Sequence, residues 1–254
     1  MKKLSVSIIA HNEAEHLDKC LESISWADEI IVVDCESNDN TVEVARKYTD
    51  KIFSRPNLPN LNLNKSFGIG QTKGDWILYL DPDERVSKEL KEEILSCIQH
   101  PASSINGYLT PRKNHYLGKW LRWGGQYPDR QLRLFKKGKA KFLCEHVHER
   151  IQIDGKIATL KGYLEHYPYS TINELLKKLV FYTDFQVGYL RNKGVKPNLF
   201  VAWRYLFWRP GTRFFRRYFL KLGFLDGYPG LLACLHDLLT EIFIYFKLWE
   251  ERKK

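Results

Sequence analysis

Three short stretches in the first third of the chain run almost continuously apolar: Leu4 to Ala10 (LSVSIIA), Glu29 to Asp34 (EIIVVD) and Ile77 to Asp81 (ILYLD). A strand with one solvated face would alternate polar and apolar positions, so these read as parallel strands covered on both faces. After the first stretch the spacing turns helical. Leu17, Cys20, Leu21 and Ile24 fall at i, i+3, i+4 and i+7 behind a predicted helix start near Asn12. A further helix after EIIVVD takes Asn40 or Thr41 as its cap, and a short strand from Lys51 to Ser54 leads through Pro56 and Pro59 to another helical segment that ends at Gly74. Strands separated in this way predict βαβ units with right-handed crossovers, and such sheets bind ligands at the carboxyl ends of their strands.

From Ile105 to Tyr167 the pattern changes to short strands and turns (INGYLTPR, RQLRLFKK, HVHERIQID, ATLKGYLEHY), which predicts antiparallel additions beside the parallel sheet. Helical spacing resumes near Thr171. Two late segments, residues 198–224 and 231–254, are rich in large apolar residues edged with Arg and Lys, but His236, Asp237, Glu241 and Lys247 interrupt the second. It falls short of the ~18–20 apolar residues that cross a bilayer. The expected partition is a catalytic domain over residues 1–168 and a C-terminal helical extension over 169–254.

Composition divides the chain along similar lines. The formal net charge is +10, yet residues 1–110 hold 12 Lys/Arg against 18 Asp/Glu, so the excess of positive charge belongs to the later part. Five cysteines, widely spaced and without a CxxC pair, argue against a disulfide framework or a zinc knuckle and suit a reducing, cytosolic setting. The opening MKKLSVSIIAHNEAE has too short an apolar stretch for a signal-peptide core.

His11, Asn12, Glu13, Asp34 and the triplet Asp81, Asp83 and Glu84 all fall where predicted strands end, so the topology predicts that they share one rim. Two carboxylates at DxD spacing can hold a hard divalent cation while leaving positions open to phosphate oxygens, although a DxD by itself is as readily a helix cap or a turn. The second acid at the same rim, Asp34, and a helix start near Asn12 with amides to offer an anion, turn that pattern toward a nucleotide-diphosphate site. A nucleotidyltransferase would need a glycine-rich basic loop after its first strand, and IIAHNEAE has neither glycine nor lysine. A nucleic-acid module gives no reason to gather acids that repel phosphate; no nucleic-acid partner is expected.

SVSIIAHNEA, IIVVDCESNDNT and GDWILYLDPDE, in this order, resemble the nucleotide-binding half of the family 2 glycosyltransferases with the GT-A fold. WGGQYPDRQLRLFKK and EHVHER are similar to the subgroup that includes lipopolysaccharide-core β-1,4-glucosyltransferases. The resemblance implies a Rossmann-like α/β, mostly parallel sheet. It implies that Ala10, Asn12, Glu13, Asp34, Lys65, Asp81 and Arg133 bind a nucleotide sugar, UDP-glucose by likeness. Asp83 and Asp81, with His148, would hold Mn²⁺ or Mg²⁺. It also implies inversion, for which an acid–base group must reach the acceptor hydroxyl; Glu149 and Glu145 are the candidates. No counterpart of the ED pair or QxxRW motif of processive synthases is present, so transfer of one sugar is expected, to a lipopolysaccharide-core or related envelope glycan or to a polyprenyl-phosphate or other lipid-linked acceptor.

Residues 196–254 carry 11 Lys/Arg against 5 Asp/Glu, with Trp203, Trp208 and Trp249 among many Phe and Tyr. Amphipathic rings beside basic side chains suit a membrane interface, so peripheral residence on an anionic cytoplasmic leaflet is expected.

Overall fold

The computed structural model describes residues 2–58, 60–101, 104–142 and 151–251. Strands and helices alternate as the hydrophobic spacing predicts: β1 (Leu4–Ala10), α1 (Ala14–Ser23), β2 (Glu29–Asp34), α2 (Thr41–Arg46), β3 (Ile52–Ser54), α3 (Leu61–Gln71) and β4 (Trp76–Leu80). β2 and β4 flank β1 in parallel, Ala10 beside Asp34 and Ile8 beside Leu80, and β3 lies parallel outside β2. Every residue of β1, β2 and β4 is buried, as strands covered on both faces must be. Leu17, Cys20, Leu21 and Ile24 all lie in the main core with Val6, Ile8 and Leu78. On α3 the close approach is at Gly68, where a Cβ would come within 2.7 Å of Ser7 Oγ and 2.9 Å of Val33 Cγ2.

Helix α1 starts later than the spacing predicts. Asn12 is left-handed (φ 55°), and Glu13 is the residue before the first helical turn. The chain therefore turns once between β1 and α1 before the helix begins, which Asn tolerates better than most residues.

The chain continues through β5 (Glu84–Val86), α4 (Lys88–Gln99), β6 (Ile105–Tyr116), β7 (Lys119–Trp120), β8 (Asp129–Lys136), β9 (Ala140–Lys141), β10 (Gln152–Ile153), β11 (Lys156–Thr159) and β12 (Leu164–Tyr169). The main sheet runs β3-β2-β1-β4-β8-β6-β12-β5. β8 is antiparallel to β4, and β12 to β5, as expected of the later strands. One pairing corrects that expectation: β11 lies parallel to β6. Adjacent strands joined by a hairpin must be antiparallel, but four strands, β7, β8, β9 and β10, intervene in the chain between β6 and β11, which frees the direction of return.

The chain divides into two compact units, Met1–Arg112 with Arg130–His166, and Lys113–Asp129 with Tyr167–Lys254. In the second unit, α5 (Ile172–Asn192) is capped by Thr171, whose Oγ1 accepts the Glu174 N–H at 3.1 Å. α6 (Leu199–Trp203) and α7 (Arg209–Phe215) are each followed by a π-helical turn, over Arg204–Trp208 and Arg216–Leu220, before α8 (Gly227–Glu250). Val187, Leu190, Tyr205, Ile244, Tyr245 and Leu248 form one core of this unit. Buried Glu241 on α8 receives Arg209 at 3.0 Å and also Arg213, so its charge leaves water only in company. Among the described residues, no helix is long and apolar enough to cross a membrane.

Candidate active site

The parallel registers put Asp34 and Asp81 at the carboxyl ends of the two strands that flank β1. Asp34 is buried; its Oδ2 accepts the Ser37 N–H at 3.4 Å, and its Oδ1 is buried with no hydrogen-bond partner among the described residues. A carboxylate oxygen out of water without a donor is costly, so an orphan of this kind calls for a partner, a ligand or an ordered water.

The start of α1 departs from the sequence expectation of amides offered to an anion. The Asn12 N–H donates to Ser37 Oγ (2.9 Å), the Glu13 N–H to Thr41 Oγ1 (2.9 Å) and the Ala14 N–H to Asp39 Oδ2 (3.2 Å). The Asn12 side chain in turn accepts the Asn38 N–H at 2.7 Å. The loop after β2 thus occupies these amides itself, and what Asn12 and Glu13 can add toward a ligand is their side chains. The physical reason is the register of β1 against β2, which sets the two loops side by side.

Behind β4 the three acids separate. The Glu84 N–H donates to Asp81 O (3.0 Å), closing the turn, and the Asp81 N–H donates to Glu84 Oε2 (3.0 Å). None of the three caps α4, because Ser87 does so by accepting the Leu90 N–H at 3.1 Å. Glu84 is fully buried and receives Arg133 at 2.6 Å and Arg112 at 3.2 Å. Burial, with the Asp81 charge beside it, nevertheless keeps its carboxyl above the usual range. Asp81 is partly exposed and accepts the Tyr79 hydroxyl at 2.5 Å, with Lys65 Nζ 3.5 Å away and Arg133 on its other oxygen. Burial works to raise its carboxyl, but the Arg133 and Lys65 cations outweigh it and hold the group well below the usual range.

Asp83 faces another group. Its Oδ1 lies 3.6 Å from His166 Nε2, too far for a hydrogen bond, and β12 holds His166 opposite Glu84 in the antiparallel register with β5. Burial pushes His166 down to about 3, despite the pull of the Asp83 charge. A neutral imidazole beside a carboxylate is a donor set that a divalent cation accepts. No cluster of three or more His, Cys, Asp or Glu among the described residues is arranged to hold a metal unaided.

Of the residues the sequence singled out, Asp34, Ala10, Asn12 and Glu13 gather around the ends of β1 and β2, while Asp81, Asp83, Lys65 and Arg133 gather behind β4. Glu145, His148 and Glu149 lie outside the described residues. His166 and Arg112 were not singled out by the sequence. Nothing local marks either one, because strand pairing brings both to Asp83 and Glu84 from far along the chain.

A largely parallel α/β sheet with carboxylates at the ends of the strands flanking the first one is a protein whose ligand site belongs at those strand ends. The chain belongs to glycosyl transferase family 2: the family so described matches residues 5–167. An uncharacterized glycosyltransferase of Rickettsia bellii is 32% identical over 244 residues, covering 91% of this chain and 81% of the relative. A Rhizobium meliloti protein named lipopolysaccharide core biosynthesis glycosyltransferase LpsC is 28% identical over 252 residues, covering 95% and 92%. Among solved structures, glucosyl-3-phosphoglycerate synthase from Mycobacterium tuberculosis, in complex with Mn²⁺, uridine diphosphate and glucosyl-3-phosphoglycerate, is 25% identical with a TM-score of 0.35 over 45% of this chain and 44% of that one.

Proposed function

We propose that this glycosyltransferase moves one hexose, with inversion, from a nucleoside diphosphate sugar to a hydroxyl of a lipopolysaccharide-core or related envelope glycan. The observation that carries the donor site is the orphaned Asp34 Oδ1, buried at the end of β2 on the rim that β1 and β4 share with it. A ribose hydroxyl or base N–H of a nucleotide would supply the missing donor. Ala10, Asn12 and Glu13 line the same strand ends and complete the nucleoside side.

Asp83, with Asp81, is the pair that would hold a divalent cation, Mn²⁺ or Mg²⁺, and neutral His166 adds a nitrogen on the Asp83 side. What a bound cation supplies is Lewis-acid screening of diphosphate charge as the leaving group departs. The chain's own contribution is positional. Arg133 and Tyr79 fix Asp81, and Lys65 brings an ammonium within 3.5 Å of it, where a phosphate oxygen would find a partner. His148 belongs to the same reading of the cation site, and Glu149, or else Glu145, is the group that takes the proton from the acceptor hydroxyl. The name carried by the Rhizobium meliloti relative supports the lipopolysaccharide-core acceptor. A lipid-linked acceptor such as a polyprenyl phosphate is the second reading, favoured by the aromatic and basic surface of residues 196–254. In either case the enzyme works peripherally at a cytoplasmic membrane face.

The test is calorimetric titration with a panel of nucleotide sugars, UDP-glucose among them, with and without Mn²⁺. The expected result is cation-dependent binding that Asp83→Asn weakens by tenfold or more. Wild-type protein that binds no nucleotide sugar with either cation would overturn the proposal.

A further inference from the structure

Along residues 199–220 exposure follows a four-residue repeat. The pairs Leu199–Phe200, Trp203–Arg204, Phe207–Trp208, Gly211–Thr212, Phe215–Arg216 and Phe219–Leu220 are exposed. Positions between them turn inward, as Tyr205 and Pro210 do, with Arg213 the exception. An α-helix makes a turn in about 3.6 residues, so a four-residue repeat on it would wind around the axis. Wider i→i+5 turns err in the opposite sense. The chain alternates the two, α6, a π-turn, α7 and a second π-turn, and the alternation keeps the exposed pairs on one line. Single-turn π-helices are uncommon and fall often at functional positions; two in 22 residues, both in register with the exposed repeat, need a reason.

The line is apolar and cationic. Leu199 is 90% exposed, and Phe207 and Leu220 are each 67% exposed, far more apolar surface than a folded chain leaves in water without use. From Lys196 to Leu222 there are seven Lys/Arg and no Asp or Glu. Arg209 and Arg213 share Glu241 of α8 and Arg217 pairs with Asp237, whereas Arg204 and Arg216, both on the exposed line, make no ion pair among the described residues. At the start of the line, Trp203 and Trp208 stack at 5.5 Å. With Phe200, Arg204 and Arg209 they border an open cleft of about 470 Å³.

We propose that this ridge is a docking surface for an anionic phospholipid bilayer, with the aromatic side chains in the acyl–headgroup boundary and Arg204 at the cleft taking a headgroup phosphate. The proposal rests on the peripheral-membrane reading above and gives it a defined surface. A second copy of the chain is the disfavoured occupant. A two-fold contact brings the same patch against itself, and here it would bury Arg204 and Arg216 of both copies in a patch whose segment, Lys196 to Leu222, has no acid. A bilayer interface takes rings and cations together.

The test is flotation of the full chain with vesicles of phosphatidylcholine alone and with one third phosphatidylglycerol, at 0.1 M NaCl, beside light scattering without lipid. Wild type is expected to float with the anionic vesicles. Phe207→Ser/Trp208→Ser should lower the partition constant at least about tenfold. Arg204→Gln/Arg216→Gln should lower it about 30-fold on anionic vesicles, about fivefold per basic side chain at the surface, and have little effect on phosphatidylcholine. A thermal melt of each variant, expected to match wild type because the side chains are exposed, excludes misfolding. Equal flotation of wild type and variants would overturn the proposal. So would dimers in light scattering that the Phe207/Trp208 variant abolishes while vesicle binding is absent. Nucleotide-sugar binding, measured on the same samples, separates failure here from failure of the donor site.

Discussion

Glu84 lies fully buried between two guanidiniums, whereas Asp83, one residue before it, faces a neutral imidazole; neighbours in sequence therefore do different work. Removing the Glu84 charge takes from buried Arg133 and half-buried Arg112 a carboxylate that both hold, and breaking a buried pair costs about 3–5 kcal/mol. Glu84→Gln is accordingly expected to lower the unfolding free energy in urea by about 3 kcal/mol. Asp83→Asn is expected instead to lose cation-dependent donor binding. Glu29 gives a pH dependence. Burial would raise its carboxyl, but hydrogen bonds from Lys51, Ser5 and the Lys73 N–H bring it down from 4.5 to about 2. A depressed folded-state value means stability that is present above pH 4.5 and lost as pH falls toward 2. That loss is on the order of 2–3 kcal/mol, and urea titrations at pH 7 and pH 3 should show Glu29→Gln losing markedly less than wild type over the same interval.

At the scale of elements, the close approach of α3 to the sheet depends on Gly68, where even one methyl would press on Ser7 and Val33. Both neighbours belong to buried strands with little room to yield, so Gly68→Val is expected to cost at least about 1–3 kcal/mol in urea unfolding. In the second unit, the Asp226 carboxylate accepts the Arg122 N–H at 3.2 Å and the Trp123 N–H at 2.8 Å, and Lys119 Nζ donates to its carbonyl at 2.7 Å. One buried side chain thus pins the loop between β7 and β8. Asp226→Ala should accelerate hydrogen exchange at those two amides by tenfold or more relative to α8; unchanged rates would mean that the loop is held by other contacts.

For the whole molecule, the expected signature is a separation of fold from chemistry. Chelating divalent cations should abolish nucleotide-sugar binding and leave the melting temperature within a degree or two, because Asp81 and Glu84 are already paired with Lys65, Arg112 and Arg133. Restoring Mn²⁺ should restore binding. A large fall in melting temperature on chelation would instead make the cation structural. The first strands, their parallel direction and the placement of Asp34, Asp81 and Asp83 at strand ends were legible in the sequence, because burial on both faces and helical spacing are written in neighbouring residues. The apolar face of α1 and the start of α5 near Thr171 were legible for the same reason. Tertiary structure alone decided which cations stand against which acids, that β11 returns parallel to β6, that the loop after β2 consumes the first amides of α1, and that His166 meets Asp83. Those outcomes depend on strand pairings between segments tens of residues apart. No local periodicity encodes such pairings; they are settled only when the chain closes the sheet and each buried charge has to find its partner.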